Sequence, residues 1–366
     1  MTSTPRPIVV HVFGRTDVGR TREHNEDAFV VADLTTDRAT LQPEVRTHDA
    51  GERGTLFMVA DGMGGAAAGE LASQMATEIV LGELRKNWRT SPRKDGEAFA
   101  AALRAASESA NAHIHEYATK HPENRGMGST ATIAGLLYDT LYIVQVGDSR
   151  GYLIRGGKSQ QITKDQSLVQ RLVEAGELTP EEAEQSDRKN IILQALGPEA
   201  SVKIDLTHQR VRRGDVLVLC SDGLSGQVRA DEIGQAVAEE PDLMSVCKRL
   251  IDMANAAGGP DNITVVAARF EGDGLDMPNG DDSVGHRVFH LESENRATVP
   301  VSAIIDDESE VPTLEVAAQP RATVPSASAE PFPPEPRGPG IDTLRLVFVL
   351  IGVVVAGIFV VLRFAK

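Results

Sequence analysis

Cysteine is nearly absent from this 366-residue chain, which has only Cys220 and Cys247, 27 positions apart. Two thiols so placed cannot make a disulfide framework, and without a C-x-x-C pair there is no soft cluster to hold zinc. Basic clusters are missing as well. With 37 Lys and Arg against 53 Asp and Glu, the formal net charge is −16. Such a surface cannot neutralise a phosphate backbone, which excludes nucleic acid as a partner. The N-terminus "MTSTPRPIVVHVFGRTD" lacks a basic region followed by an apolar core, so it does not read as a secretory signal.

Periodic apolar segments are also missing between Gly272 and Gly340. From Glu271 to Gly340 the chain has 14 acidic residues against 4 arginines, interspersed with Pro, Ser and Ala. That composition cannot bury a core and reads as a disordered acidic spacer. The spacer runs into "LVFVLIGVVVAGIFVVL", 17 consecutive uncharged apolar residues from Leu346 to Leu362, between Arg345 and Arg363. At about 1.5 Å per helical residue the run spans roughly 26 Å, the short end of what a bilayer core requires. The expected organisation is a globular domain over 1–271, a linker over 272–343, a transmembrane helix over 344–363 and a short tail over 364–366. Together with the lack of a secretory signal, this predicts a single-pass membrane protein with its large domain in the cytoplasm, although Arg345 on one side and Arg363 with Lys366 on the other do not themselves set the orientation.

Within the globular part, three apolar runs each end on an Asp followed by a small residue. These are Asp61-Gly62 after "LFMVA", Asp148-Ser149 after "LYIVQVG" and Asp222-Gly223 after "VLVLCS". The pair Glu26-Asp27 in "HNEDAF" and Asp261 in "GGPDNITVV" join them. Short aliphatic runs bounded by Gly, Ser and Asp read as buried strands, so these carboxylates stand where strands leave a core. Oxygen-only ligands suit a hard ion, Mg²⁺ or Mn²⁺.

Helical spacing of Leu71, Met75, Ile79, Val80 and Leu84 predicts a helix with that apolar face, and a second helix is expected over about 97–119. Strands follow in "STATIAGLLY" and "LYIVQVGD", joined tightly at Asp139-Thr140, then a hairpin turning at Gly156-Gly157. Residues 165–196 read as a helix stopped at Gly176 and a short one opened by Thr179-Pro180, with Glu182 completing a capping box. "DVLVLCSD" and "NITVVAARF" flank a helix in "DLMSVCKRLIDMANAAGG". The grouping predicts an α+β fold with two largely antiparallel sheets and helices outside.

Five segments in order, "TDVGRTREHNEDAF", "FMVADGMGGAAAGELAS", "GSTATIAGLLYDTLYIVQVGDSRGYLIR", "LVLCSDGLSG" and "GGPDNITVV", together resemble the metal-dependent Ser/Thr protein phosphatases of type 2C (PPM), in their bacterial branch. The resemblance covers roughly residues 10–270. It implies two antiparallel sheets sandwiched between helices, with a Mn²⁺ or Mg²⁺ centre of two ions and a third in bacterial members. By motif position Asp61 bridges both ions, the Gly62 carbonyl is a ligand, and Asp222 and Asp261 serve one ion. Glu26 acts through ordered water beside Asp27, Asp148 serves the third ion, and Arg22 grips the substrate phosphate. The implied reaction is hydrolysis of phosphoserine and phosphothreonine by a water activated between the ions, opposing a Ser/Thr protein kinase.

Two positions depart from the family pattern. Met63 stands in "DGMGG" where eukaryotic members have a His proposed as general acid, and bacterial members commonly share the change. Nearby His24 has no assigned role. Gln166 in "KDQSLVQ" replaces a His at the start of the variable flap. A catalytically weak scaffold that binds phosphoproteins or a kinase is the alternative reading, while a metal-dependent nuclease shares the acids but lacks the basic surface. In the spacer, "RATVP" occurs twice, which makes Thr298 and Thr323 candidate phosphorylation sites.

Overall fold

The computed structural model describes residues 7–39, 47–280 and 282–292. In chain order the first half contributes strands β1 (Val9–Asp17), β2 (Asp27–Asp33), β3 (Arg38–Ala39), β4 (Thr47–Asp49) and β5 (Thr55–Met63). Helices α1 (Ala66–Glu83) and α2 (Gly96–Lys120) come next, then β6 (Gly128–Ser129), β7 (Ala131–Leu137) and β8 (Thr140–Val146). After β9 (Arg150–Arg155) and β10 (Lys158–Gln161), the short helices α3 (Leu168–Glu174) and α4 (Pro180–Glu184) interrupt the strands. Then follow β11 (Asp205–Arg210), β12 (Val216–Cys220), α5 (Asp222–Ser225), α6 (Ala230–Glu239), α7 (Leu243–Ala256) and β13 (Ile263–Glu271).

One sheet has the order β10-β9-β12-β13-β1-β4, and the other β11-β8-β7-β5-β2-β3 with β6 beside the end of β5. All described pairings are antiparallel. The expected α+β sandwich is the observed one.

The strands read as unbroken apolar runs because both faces of each sheet are covered. On β5, Phe57 and Val59 point between the sheets, where they meet Leu217, Leu219 and Phe270. The alternate residues Leu56, Met58 and Ala60 lie under α1 and α2. On β12, Val216, Val218 and Cys220 face the opposite way, towards Ile233 of α6 and Val246 and Leu250 of α7. Cys220 is therefore a buried apolar residue, as its setting in the sequence indicates.

Local signals fix the helices, with one difference. The Asp95 side chain caps α2 by accepting from Ala98 N–H at 3.0 Å, and the Thr179–Glu182 capping box opens α4. Helix α1, however, buries Ala68, Ala72, Ala76 and Val80, while Leu71, Met75 and Ile79 pack along the flank. Alanines let the helix approach the sheet closely, so the larger side chains splay sideways and the apparent apolar face is rotated. The β7–β8 turn is also displaced, since Leu137 pairs with Thr140 and leaves Tyr138-Asp139 as the turn.

The chain does not leave the domain at Gly272, where composition places the start of the spacer. Arg212 grips Asp282 through Nε and Nη2 at 2.8 and 2.7 Å. Phe289 stands edge-on to Tyr142 and His208, and Leu275 and Leu291 are buried. A few unevenly spaced apolar residues suffice to hold a strap onto a finished surface, and no periodic pattern announces them. The rest of the expected linker, Thr298, Thr323 and the 344–363 segment lie outside the described residues. Among the described residues no helix is long and apolar enough to cross a membrane.

Candidate metal centre

The strand-end acids come from both sheets. Antiparallel register sets Asp27, at the start of β2, opposite Asp61 near the end of β5. The Gly62 N–H donates to the Glu26 carbonyl at 3.1 Å, which holds the acid pair against the same strand end. A Cβ on Gly62 would lie 2.1 Å from the Gly69 carbonyl oxygen, and one on Gly69 would lie 1.9 Å from Glu26 Oε2. Only glycine lets the first turn of α1 ride over the acids at this distance.

The other sheet supplies Asp222, which opens α5 directly after β12, and Asp261, which precedes β13. Ser221 Oγ donates to Asp27 Oδ2 at 2.7 Å and accepts from Thr264 N–H at 2.9 Å, stitching the sheets together. Asn262 Oδ1 accepts from Glu26 N–H at 2.8 Å while its Nδ2 donates to the Val18 and His24 carbonyls. Asp222 lies within the electrostatic reach of Asp61. Asp148 lies in the turn between β8 and β9, and its field reaches Asp61. Arg22, in the β1–β2 loop, donates from Nη2 to Asp261 Oδ2 at 2.8 Å.

The electrostatics follow from burying so many like charges. Loss of water, then the charges of Asp222 and Asp261, push the Asp27 carboxyl up to about 7 despite hydrogen bonds from Thr264 and Ser221. Burial and Asp222 push Asp148 up to about 8. Asp61 is raised well above the carboxylate range by burial and by four neighbouring aspartates, and burial with Asp261 raises Asp222. Burial raises Glu26 too, against the pull of Arg22. For Arg22 burial works against the charge, but Asp261, Glu26 and Asp61 hold its proton more tightly than usual. This cluster is deficient in positive charge.

The donor set fits hard divalent ions. Asp27 Oδ1, Asp148 Oδ1 and Asp222 Oδ1 are each buried with no hydrogen-bond partner, a costly condition that a cation relieves. Among the described residues no three acidic, histidine or cysteine side chains converge as tightly as a closed ligand cage. Mg²⁺-type ions suit such an open set, because they keep several waters and take few protein ligands.

Every acid named from the sequence in the globular part, together with Arg22, comes to this region. Met63 ends β5 opposite Gly128 and has no proton to give. His24 is exposed. Ser221 and Asn262 are the functional residues the sequence did not single out, although each adjoins one of the named acids.

The chain matches the Protein phosphatase 2C family over residues 40–266. It is 39% identical over 262 residues to the serine/threonine protein phosphatase PstP of Mycobacterium tuberculosis, covering 71% of this chain but 45% of that relative. With the serine/threonine phosphatase stp of Listeria monocytogenes, identity is 37% over 258 residues, covering 70% of this chain and 94% of the relative. A crystal structure of the catalytic domain of PstP in complex with 2 manganese ions superposes with a TM-score of 0.59 at 38% identity, covering 72% of this chain and 99% of that one. By sequence and by the arrangement of its two sheets, the chain belongs to the protein phosphatase 2C family.

Proposed function

We propose that the chain is a metal-dependent phosphatase of phosphoserine and phosphothreonine in proteins, that it opposes a Ser/Thr protein kinase, and that its C-terminal apolar segment holds it at a membrane with the catalytic domain in the cytoplasm. The observation that carries the catalytic reading is the set of three buried, partnerless carboxylate oxygens, on Asp27, Asp148 and Asp222, in an acid cluster whose Asp261 is bonded to the Arg22 guanidinium. The manganese-bound relative supports Mn²⁺ as the ion. The membrane reading is supported by the run from Leu346 to Leu362.

In this reading Asp61, the Gly62 carbonyl, Asp222 and Asp261 would hold two ions, Glu26 and Asp27 would stand beside them, and Asp148 would hold a further one. Bound divalent ions would supply a water acidic enough to attack at neutral pH and would offset phosphoryl charge. Arg22 presents a planar fork that can grip two phosphate oxygens, and the Asp261 bond aims it. Ser221 and Asn262 fix Asp27 and Glu26, so the acids need no rearrangement when substrate arrives. At position 63 no side chain protonates the leaving serine or threonine oxygen.

The test is incubation of the full chain with a phosphothreonine peptide and Mn²⁺. Phosphate release that chelator and Asp61→Asn both abolish supports the enzyme. Tight peptide binding without release would instead identify a phosphoprotein-binding scaffold.

A further inference from the structure

The turn that carries Asp148 is held from two sides by glutamine amides. Gln145 is buried, and its Nε2 donates to the Gly147 and Ser149 carbonyls at 3.0 and 2.8 Å, the two carbonyls that flank Asp148. Its Oε1 accepts from Thr132 Oγ1 at 2.9 Å, which fixes the amide's orientation. From the opposite side, Gln166 Oε1 accepts from Gly147 N–H at 3.0 Å, and the Gln166 backbone N–H donates to the Gly147 carbonyl at 2.9 Å. Gln166 Nε2 donates to the Lys203 carbonyl at 3.1 Å, and its own carbonyl accepts from Leu193 N–H at 2.7 Å.

The turn is also tied to Asp61. Ser149 Oγ and Thr130 Oγ1 are 2.8 Å apart, and Thr130 Oγ1 accepts from Asp61 N–H at 2.9 Å. Gly147 takes a φ of 98°, where a Cβ would lie 2.6 Å from Thr130 Cγ2, so the turn admits only glycine there. Left to itself, a turn residue crowded by Asp222 and Asp61 would swing its carboxylate away from them. Here the backbone polar groups on both sides of Asp148 are engaged, yet Asp148 Oδ1 is left unpartnered. An amide suits this task because it donates and accepts without adding charge to a crowded acid cluster.

We propose that Gln145 and Gln166 are positioning residues: a two-sided clamp on the backbone of the turn that keeps the unpartnered Asp148 carboxylate within the acid cluster, ready to take a divalent ion. The inference rests on the reading of Asp148 as a ligand. Gln166 also belongs to the segment 165–196, so the clamp joins that segment to the acid cluster.

The test is a Mn²⁺ titration of the full chain, following free Mn²⁺ by electron paramagnetic resonance, for the wild type, Asp148→Asn, Gln166→Met and Gln145→Leu. The melting temperature of each is taken in chelator. Asp148→Asn is expected to remove one Mn²⁺. Gln166→Met keeps the length of the side chain but none of the side chain's hydrogen bonds, and should weaken that same ion by about 10- to 100-fold while leaving the tighter binding unchanged and lowering the melting temperature by no more than a few degrees. Gln145→Leu should act in the same direction. If Asp148→Asn removes an ion and neither glutamine variant weakens it, the clamp is wrong and the ligand reading stands. If the glutamine variants lower the melting temperature and all Mn²⁺ affinities together, their role is structural and the clamp is again wrong. If Asp148→Asn leaves every binding step unchanged, the ligand reading falls and the clamp falls with it.

Discussion

Replacing Asp27 by Asn should make the metal-free protein more stable and the metal-loaded protein less able to profit from its ions. In the folded chain the Asp27 carboxyl titrates at about 7 against an ordinary 3.8. A gap of about three pH units, at about 1.4 kcal/mol each, places the cost of carrying this group ionised at roughly 4 kcal/mol. The effective dielectric of a protein site, well above that of a dry interior, reduces this to about 1–3 kcal/mol. Asparagine removes that cost and keeps an oxygen to accept from Ser221 Oγ. For a domain of this size the gain corresponds to about 2–6 °C in melting temperature. The sign with pH is set by the raised folded value: the cost is absent below 3.8, grows as pH rises towards 7 and is complete above it. In chelator the advantage of Asp27→Asn should therefore be largest at pH 7.5 and less than half as large at pH 5. Trp88, the sole tryptophan and fully buried against Phe99, reports the unfolding by fluorescence. Saturating Mn²⁺ at about 100 times its Kd should add about 2.7 kcal/mol to the wild type and less to the variant. A variant less stable than the wild type in chelator, or a gain equal at both pH values, would refute the picture of crowded, uncompensated charge.

Arg22→Lys keeps the charge but loses the fork. It should lower kcat/KM by roughly 10- to 100-fold, matching a loss of about 1.5–3 kcal/mol, without changing the melting temperature, since Arg22 is about half exposed. Asn262→Ala leaves Glu26 N–H and two carbonyls without their partner. It should cost about 1–3 kcal/mol in urea unfolding and weaken Mn²⁺ binding. Ending the chain at 271 rather than 292 removes Leu275, Phe289 and Leu291 from the surface they cover. Two buried leucines alone make this worth about 3–6 kcal/mol, seen as a lower urea midpoint.

The acids were legible because each ends a short apolar run, and a strand end is a local event that sequence displays. Arg22 stands in sequence among Arg15 and Arg20, and geometry separates them: Arg22 reaches Asp261, whereas Arg20 contributes its backbone N–H to the Gly259 carbonyl. The links that make a site out of the acids were not legible. Ser221 meets Asp27 across 194 positions and Asn262 meets Glu26 across 236, through single hydrogen bonds that leave no period or spacing in the chain. The buried alanine face of α1 was masked by the larger residues beside it, and the strap over 272–292 by its acidic composition. Gln166 stood out in the sequence as a change in what can titrate. Its place in the fold shows what the amide does instead, which is to hold the turn before Asp148.

The most direct measurement is the initial rate of phosphate release from a phosphothreonine peptide by the full chain, recorded across a Mn²⁺ titration together with the number of ions bound, for the wild type and Asp61→Asn. Release should be absent in chelator, rise as at least two ions bind, and stay absent in the variant, which should also have lost Mn²⁺ binding. Release that persists in chelator, or Mn²⁺ binding and turnover unchanged by Asp61→Asn, would contradict a metal centre built on these strand-end acids.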